Sequence, residues 1–197
     1  MSFVLGLTGS IGMGKSTTAR MFAEEGCDVW DADEAVHRLY AKTGAAVAPM
    51  AEVFPEAVVD GAVSREKLKA IIADDPEALR RIEAIVHPLV AEDRAAFIEA
   101  SRADIVVLDI PLLFETGAEA QFDAIACVTV PSEVQRARVM ARGTMTQAQF
   151  ETIRDKQMPA EEKCRRSDYV IATDTLEAAR QQVQDVIKDI GSKLADA

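Results

Sequence analysis

Five short apolar segments are spread along the chain, at residues 3–7, 27–30, 105–110, 124–130 and 169–172. Their hydrophobic residues are continuous rather than alternating, which is typical of parallel strands covered on both faces. Apolar positions recur at helical spacing in residues 16–25, after a glycine-rich stretch, and again over residues 176–194. We therefore predict an α/β fold in three layers, with helices on both sides of a five-stranded parallel sheet.

One long stretch, residues 34–101, interrupts this alternation of strands and helices. It contains no convincing strand, and its pattern predicts several short helices. Asp75 followed by Pro76 is typical of a capped helix start, and Pro88 predicts the first turn of another helix. We interpret this stretch as a helical insert.

A second stretch, residues 132–167, also predicts helices. Two pairs of residues match the capping-box pattern: Ser132 with Gln135, and Thr146 with Gln149. We expect a helical hairpin that turns near Gly143. The remaining residues, about 1–33, 102–131 and 168–197, then form the core of a single domain.

The composition is that of an ordinary globular protein, with 197 residues, 49% hydrophobic and 28% charged. No apolar run approaches the roughly 20 residues that a membrane-spanning helix needs. The N-terminal residues do not resemble a secretory signal, and the three widely spaced cysteines favour neither a disulfide framework nor a cysteine metal site. We therefore expect a cytoplasmic protein without a membrane span.

The net charge of −11 argues against a general nucleic-acid binder. Residues 136–166 depart from this acidity, because they hold eight basic and four acidic side chains, which leaves −15 on the rest of the chain. Such a charge run is often only a solvated helix face. Arg138 and Arg142, however, are four residues apart and on a helix share one face, so they are able to converge on one anion.

A glycine-rich motif lies between the first predicted strand and the first predicted helix. Residues 9–16 read Gly-Ser-Ile-Gly-Met-Gly-Lys-Ser and match the phosphate-binding pattern G-x-x-x-x-G-K-[ST]. Glycines let the backbone turn so that its N–H groups, with the helix N-terminus, converge on phosphate oxygens. We expect Lys15 to reach the β- and γ-phosphates and Ser16 to bind Mg²⁺. A glycine-rich turn with an incidental lysine is disfavoured, because both motif and context match.

The rest of the chain must decide the reaction, because kinases, GTPase switches and motor ATPases share this P-loop. The sequence contains no asparagine. The Asn-Lys-x-Asp motif that reads guanine in GTPases is therefore absent, which argues against a regulatory GTPase.

Two carboxylates, Asp31 and Asp33, follow the second predicted strand. In a doubly wound sheet the carboxyl ends of the strands face the ligand crevice, so these acids are candidates to lie opposite the P-loop. Phosphoryl transfer to an alcohol needs a carboxylate that receives the proton of the hydroxyl. Asp33 is our candidate for this base, and it is also placed to cap the following helix; the two roles are compatible.

A third carboxylate, Asp109, ends the most apolar predicted strand. It is a candidate ligand of Mg²⁺ through water. Leu112, Leu113 and Phe114 follow it, and they suit either the wall of an acceptor pocket or the core.

Two further side chains are candidates for contact with the acceptor. His87, before Pro88, suits either a structural position or an acceptor contact. Arg65 follows a predicted turn at Asp60-Gly61 and suits either an acceptor phosphate or plain exposure to solvent.

The P-loop suggests a function for the basic segment, residues 136–166. In a phosphoryl-transfer enzyme, a mobile hairpin that carries arginines closes on ATP, excludes water and stabilises charge on the transferred group. Arg142 is the best candidate for that role, and Arg138 is the next.

Taken together, these motifs resemble the dephospho-CoA kinase family over nearly the whole chain. The residues that carry the resemblance are 7–17, Asp31-Ala32-Asp33 with Ala35, Asp60-Gly61 with Arg65 and Leu68, His87-Pro88, 108–115, Arg138 with Arg142, and Gln157. The resemblance implies a P-loop NTPase core, a CoA-binding insert over residues 34–101 and a lid over residues 132–167. It also implies that ATP, with Mg²⁺, phosphorylates the ribose 3′-hydroxyl of dephospho-CoA, the last step of CoA biosynthesis.

The P-loop motif, the positions of the other candidate residues and the resemblance together assign roles to these residues. Catalysis falls to Asp33, Lys15 and Arg142. The nucleotide-binding residues are Gly9, Ser10, Ile11, Gly12, Met13, Gly14, Lys15, Ser16, Thr17, Arg138, Arg142 and Thr173. The substrate-binding residues are Asp31, Asp33, Arg65, His87, Leu112, Leu113 and Glu115, and the Mg²⁺ ligands are Ser16 and Asp109.

One position departs from the family pattern. Where the family commonly has Asp-x-x-Ile-x-Asn after the lid, this chain has Thr173 in the asparagine position. Thr173 still offers a hydroxyl and backbone groups, so we expect altered contacts to the adenine end of ATP rather than lost function.

Two other functions remain open at this level. One is a P-loop kinase with a nucleoside monophosphate or small-alcohol acceptor, and the other is a non-catalytic ATP-binding regulatory module. The oligomeric state is left open as well.

Overall fold

The structure is a computed structural model that describes residues 2–196. It contains two compact units, one of residues 2–30 and 101–196 and the other of residues 31–100. In chain order the elements are β1 Phe3–Thr8, α1 Lys15–Glu24, β2 Asp28–Asp31, α2 Ala32–Tyr40, α3 Val47–Val53, β3 Val58–Val59, β4 Ala62–Val63, α4 Arg65–Asp74, α5 Glu77–Ala100, β5 Ile105–Asp109, β6 Ala124–Thr129, α6 Ser132–Ala141, α7 Gln147–Lys156, α8 Ala160–Arg166, β7 Tyr169–Ala172 and α9 Leu176–Ala195.

The first unit is built on the five-stranded parallel sheet that the sequence predicts, with strand order β2-β5-β1-β6-β7. The central strand β1 pairs in parallel with β5 and with β6, and β6 pairs in parallel with β7. All five predicted strands are confirmed. Because parallel strands end at one edge, the loops after β1 and β5 lie side by side, with Leu7 opposite Asp109.

The core of this unit lies on both faces of the sheet. Alternate residues of β6 point to opposite sides. Ala124, Ala126 and Val128 pack in the cluster that includes the apolar faces of α1 and α9. Ile125 packs on the other side with Leu113 and Phe114.

The second unit has its own core beneath α3, α4 and α5, around Met50, Phe54, Leu68 and Ile82. The expectation that this stretch lacks strands is wrong, because β3 and β4 form an antiparallel hairpin. Each strand is only two residues long, which is too short for a period-two pattern. The predicted turn at Asp60-Gly61 is confirmed as the hairpin turn, with φ of 51° and 81° at these residues.

The expectation that Pro88 opens a helix is also wrong. Pro88 lies inside the 24-residue helix α5. A proline removes one backbone hydrogen bond, but the buried stripe of Ala78, Ile82 and Val86 packs α5 into the core and outweighs that cost. The predicted cap at Asp75 is present, since its carboxylate accepts the Glu77 N–H at 3.0 Å.

Residues 132–167 are helical, with three helices where a hairpin of two was expected: α6, α7 and α8. The chain turns at Gly143, with φ of +64°, and the capping box of Thr146 with Gln149 is confirmed. The box predicted for Ser132 is wrong. Pro131 holds the N-cap position without a side-chain cap, and the Gln135 amide donates to the Ile11 carbonyl instead.

Among the helices of residues 2–196, none combines the length and the hydropathy that a membrane span requires.

Candidate active site

The P-loop connects β1 directly to α1. Gly12 and Gly14 have φ of +77° and +90°, in the left-handed region that favours glycine. Gly14 is the N-cap of α1, so the backbone N–H groups at the start of this helix are free of intrahelical bonds and available to an anion. The loop therefore has the conformation and the position of a phosphate site.

Lys15 and Asp109 are brought together at this site. The Lys15 ammonium forms an ion pair with the carboxylate of Asp109, whose side chain is 1% exposed. Ser16 and Thr17 lie exposed in the first turn of α1. A phosphate bound to the loop would compete with Asp109 for the Lys15 ammonium.

Protein ligands for Mg²⁺ are few here. In the part of the chain that the structure describes, His, Cys, Asp and Glu side chains form no group of three or more that would hold a metal ion. Mg²⁺ is commonly bound by one or two protein side chains together with substrate phosphates. Ser16 and Asp109, next to the P-loop, suit that kind of site.

Thr173 bridges the P-loop and α6. Its hydroxyl donates to the Met13 carbonyl at 2.7 Å and accepts from Arg138 Nη1 at 3.0 Å. Arg138 Nη2 also donates to the Thr173 carbonyl at 2.5 Å. The residue that departs from the family pattern therefore ties Arg138 to the P-loop.

Arg142 and Arg138 lie at the same place. A cleft of about 200 Å³ opens beside the P-loop, and its lining includes both arginines, Gly14, Thr17 and Thr173. Arg138 is half-buried and held by Thr173, whereas Arg142, at the C-cap of α6, is exposed. The structure thus brings together five of the predicted nucleotide-binding residues.

Several residues in the loop after β5 make contacts within the protein. Leu113 is fully buried, whereas Leu112 is 43% exposed and accessible to a ligand. Glu115 Oε1 lies 2.8 Å from Lys163 Nζ and accepts the Met158 N–H at 2.9 Å. Burial acts to raise the pKa of Glu115, but the hydrogen bonds from Lys163 and from the Met158 backbone outweigh it and lower the pKa.

Lys163 is a residue that sequence reasoning missed. Its side chain is fully buried, and its ammonium donates to the Pro111 carbonyl at 3.4 Å besides pairing with Glu115. The sequence showed it only as one of eight charges in a basic segment. Lys163 is buried because α8 packs against β6, and no local sequence pattern predicts that packing.

Asp31 and Asp33 belong to the second unit. Asp31 is the N-cap of α2, and its Oδ1 accepts the N–H groups of Asp33 at 2.7 Å and of Glu34 at 2.9 Å. The alternative that Asp33 is the cap is therefore wrong. Asp33 lies in the first turn of α2 with its side chain exposed.

Arg65 and His87 also belong to the second unit. The guanidinium of Arg65 lies over the ring of Tyr40, 5.8 Å from its centroid, and the residue is otherwise exposed. His87 is exposed on α5. Both side chains are accessible to a ligand.

The parallel sheet, the P-loop and the adjoining arginines define a P-loop kinase. The family model for dephospho-CoA kinase matches residues 3–178, and the dephospho-CoA kinase of Ruegeria pomeroyi is 72% identical over 190 residues, 96% of each chain. The chain belongs to the dephospho-CoA kinase family.

Solved structures share this fold. The crystal structure of TT1252 from Thermus thermophilus superposes with a TM-score of 0.85 at 32% identity, over 95% of this chain and 97% of that one. The dephospho-CoA kinase from Campylobacter jejuni has a TM-score of 0.70 at 23% identity, over 98% of this chain and 99% of that one. At this identity, the similarity to the Campylobacter jejuni structure shows a shared fold.

Proposed function

We propose that this protein transfers the γ-phosphoryl group of ATP to the ribose 3′-hydroxyl of dephospho-CoA, giving CoA and ADP. The observation that carries the proposal is the P-loop, with Lys15 and two arginines beside it, in a chain that belongs to the dephospho-CoA kinase family. The reaction is the last step of CoA biosynthesis.

The P-loop and α1 hold the phosphates. The N–H groups at the start of α1 point toward an anion in front of the helix. Lys15 would release Asp109 and bind the β- and γ-phosphates of ATP. Ser16 and Asp109 would hold the Mg²⁺ that accompanies ATP. These residues neutralise the charge of the triphosphate and orient it for in-line transfer.

Arg138 and Arg142 have different tasks in this proposal. Arg138, fixed by Thr173, shapes the nucleotide cleft. Arg142 is exposed at the end of α6 and is available to stabilise charge on the transferred group. Residues 132–167, which carry both arginines, form the lid.

Asp33 is the proposed general base, which receives the proton of the 3′-hydroxyl. Its exposed carboxylate supports this role, whereas Asp31 is occupied as a helix cap. We assign acceptor binding to residues 34–101, with Arg65 and His87 as accessible side chains, and to Leu112. Residues 1–33, 102–131 and 168–197 form the core of one domain.

We also propose that the protein works in the cytoplasm without a nucleic-acid partner, as its acidic net charge of −11 and its unpaired cysteines favour.

The test is ADP formation by the purified protein with Mg²⁺-ATP and a panel of acceptors: dephospho-CoA, AMP, CMP, dTMP and shikimate. We expect ADP only with dephospho-CoA, together with a product that has the mass of CoA. ADP formed with another member of the panel would show a small-molecule kinase of different specificity. ATP binding without transfer to any acceptor would instead indicate a regulatory module.

A further inference from the structure

Two glutamines of the lid hold the main chain of one P-loop residue, Ile11. Gln135, on α6, donates from Nε2 to the Ile11 carbonyl at 2.7 Å. Gln157, directly after α7, accepts the Ile11 N–H on Oε1 at 3.2 Å. The side chain of Gln135 is buried, with 3% exposure. We refer to Gln135 and Gln157 together as the glutamine clasp.

The clasp fixes the orientation of two peptide planes. The carbonyl of Ile11 and the N–H of Gly12 belong to the same trans peptide, so they point in opposite directions. Because Gln135 holds the carbonyl toward α6, the Gly12 N–H points away from α6. Gln157 fixes the peptide between Ser10 and Ile11 in the same manner, because it accepts the Ile11 N–H. The Ser10 carbonyl of that peptide accepts the Met13 N–H at 3.2 Å.

This orientation matters for anion binding. A P-loop binds phosphate through N–H groups that converge in a concavity, and a carbonyl turned into that concavity would repel the anion. Gly12 has φ of +77° and lacks a side chain that would restrict its backbone. The bonds from the clasp therefore supply the restraint that the loop's own sequence lacks.

Helix α6 also packs directly against Gly12. A Cβ atom at Gly12 would be 2.4 Å from Val139 Cγ2 and 3.2 Å from the Gln135 carbonyl oxygen. The segment of α6 from Gln135 to Val139 is thus packed on the loop apex, and the turn at Gly143 follows it.

We propose that Gln135 and Gln157 are positioning residues, which hold the apex of the P-loop in its phosphate-binding shape and so link the attachment of the lid to nucleotide affinity. The proposal rests on the proposed function in one respect, namely that ATP binds at the P-loop.

Gln135 donates through its amide nitrogen, whereas Gln157 accepts through its amide oxygen. The same substitution, glutamine to glutamate, therefore breaks one of these hydrogen bonds and keeps the other. Gln135→Glu removes the donor and places an oxygen against the Ile11 carbonyl, whereas Gln157→Glu keeps an oxygen that accepts the Ile11 N–H. Both variants add the same charge beside the same residue. Gln149→Glu adds it on the lid away from the P-loop and keeps the capping box, in which Glu serves as well as Gln, so it is the control.

The readouts are the Kd for Mg²⁺-ATP by titration calorimetry and the steady-state KM and kcat. We expect Gln135→Glu to raise Kd and KM for ATP about tenfold, the effect of losing one buried hydrogen bond. We expect Gln157→Glu and Gln149→Glu to change them less than about threefold, and kcat to change little in all three. Gln135→Met, which removes the donor without adding charge, should follow Gln135→Glu.

Equal Kd values for Gln135→Glu and Gln157→Glu, or a Kd for Gln135→Met like that of the wild type, would overturn the proposal. Thermal midpoints of the four variants, measured alongside, separate loss of fold from loss of affinity. Because Kd is read without an acceptor, the test remains valid if dephospho-CoA is not the substrate. Lys15→Ala, in contrast, tests whether ATP binds at the P-loop at all.

Discussion

Glu115 and Lys163 form an ion pair, and removing one partner should cost a different unfolding free energy from removing the other. Lys163 is fully buried, whereas 19% of the Glu115 side chain is exposed. Glu115→Ala leaves a buried ammonium whose remaining hydrogen-bond partner, among the described residues 2–196, is the Pro111 carbonyl at 3.4 Å. Removing one member of a buried pair in this way costs about 3–5 kcal/mol of unfolding free energy.

The reverse change should cost much less. Lys163→Met removes the buried charge and keeps most of the side-chain volume. Glu115 then still accepts the Met158 N–H at 2.9 Å and reaches solvent on its exposed side. We expect a loss of about 1 kcal/mol, the net contribution of one hydrogen bond.

Urea unfolding followed by circular dichroism measures both free energies. Glu115→Ala should be the less stable variant by about 2 kcal/mol or more. Equal destabilisation of Lys163→Met and Glu115→Ala, or no loss of stability in either variant, would refute this difference between the two residues.

The same pair predicts a dependence of stability on pH. The folded pKa of Glu115 is lowered from its ordinary value of 4.5, so its contribution is full above that value and is lost as the pH falls through the folded pKa. The wild type should therefore lose more stability than Glu115→Gln between about pH 5 and pH 3. Parallel curves would show that Glu115 contributes no such dependence.

Three other substitutions, with Glu34→Gln as a control, test the proposed catalytic residues. Asp33→Asn should lower kcat by about 10²–10⁴ with little change in the KM for ATP, whereas Glu34→Gln, an exposed neighbour in the same turn, should leave kcat near normal; equal rates for the two variants would remove Asp33 from the role of base. Lys15→Ala should abolish both transfer and the thermal stabilisation that Mg²⁺-ATP gives the wild type, and retained stabilisation would contradict phosphate binding by Lys15. Arg142→Ala should lower kcat without changing the thermal midpoint, since its side chain is exposed, and an unchanged kcat would place it on a merely solvated face.

The sheet and the P-loop were predictable because their signals are local. Five continuous apolar segments marked the strands, and the spacing of Gly9, Gly14, Lys15 and Ser16 marked a phosphate-binding loop in its correct context. Asp109 could be placed near this loop because parallel strands end at the same edge of a sheet, and the structure pairs it with Lys15.

Other features depend on contacts between distant residues and could not be predicted. Gln135 matched a capping box in the sequence, but its amide instead bonds Ile11, 124 positions away. Lys163 carries a charge that favours the surface, and only the packing of α8 on the sheet buries it. Pro88 predicts a helix start by its local preference, which the packed stripe of α5 overrides.

The most direct test of the proposed reaction follows the transferred phosphoryl group itself. The purified protein is incubated with dephospho-CoA and with Mg²⁺-ATP labelled at the γ-phosphate, and the labelled product is located by mass spectrometry and phosphorus NMR. We predict one label on the ribose 3′-oxygen for each ADP formed. Label released as inorganic phosphate, or attached to any other oxygen of the acceptor, would contradict the account.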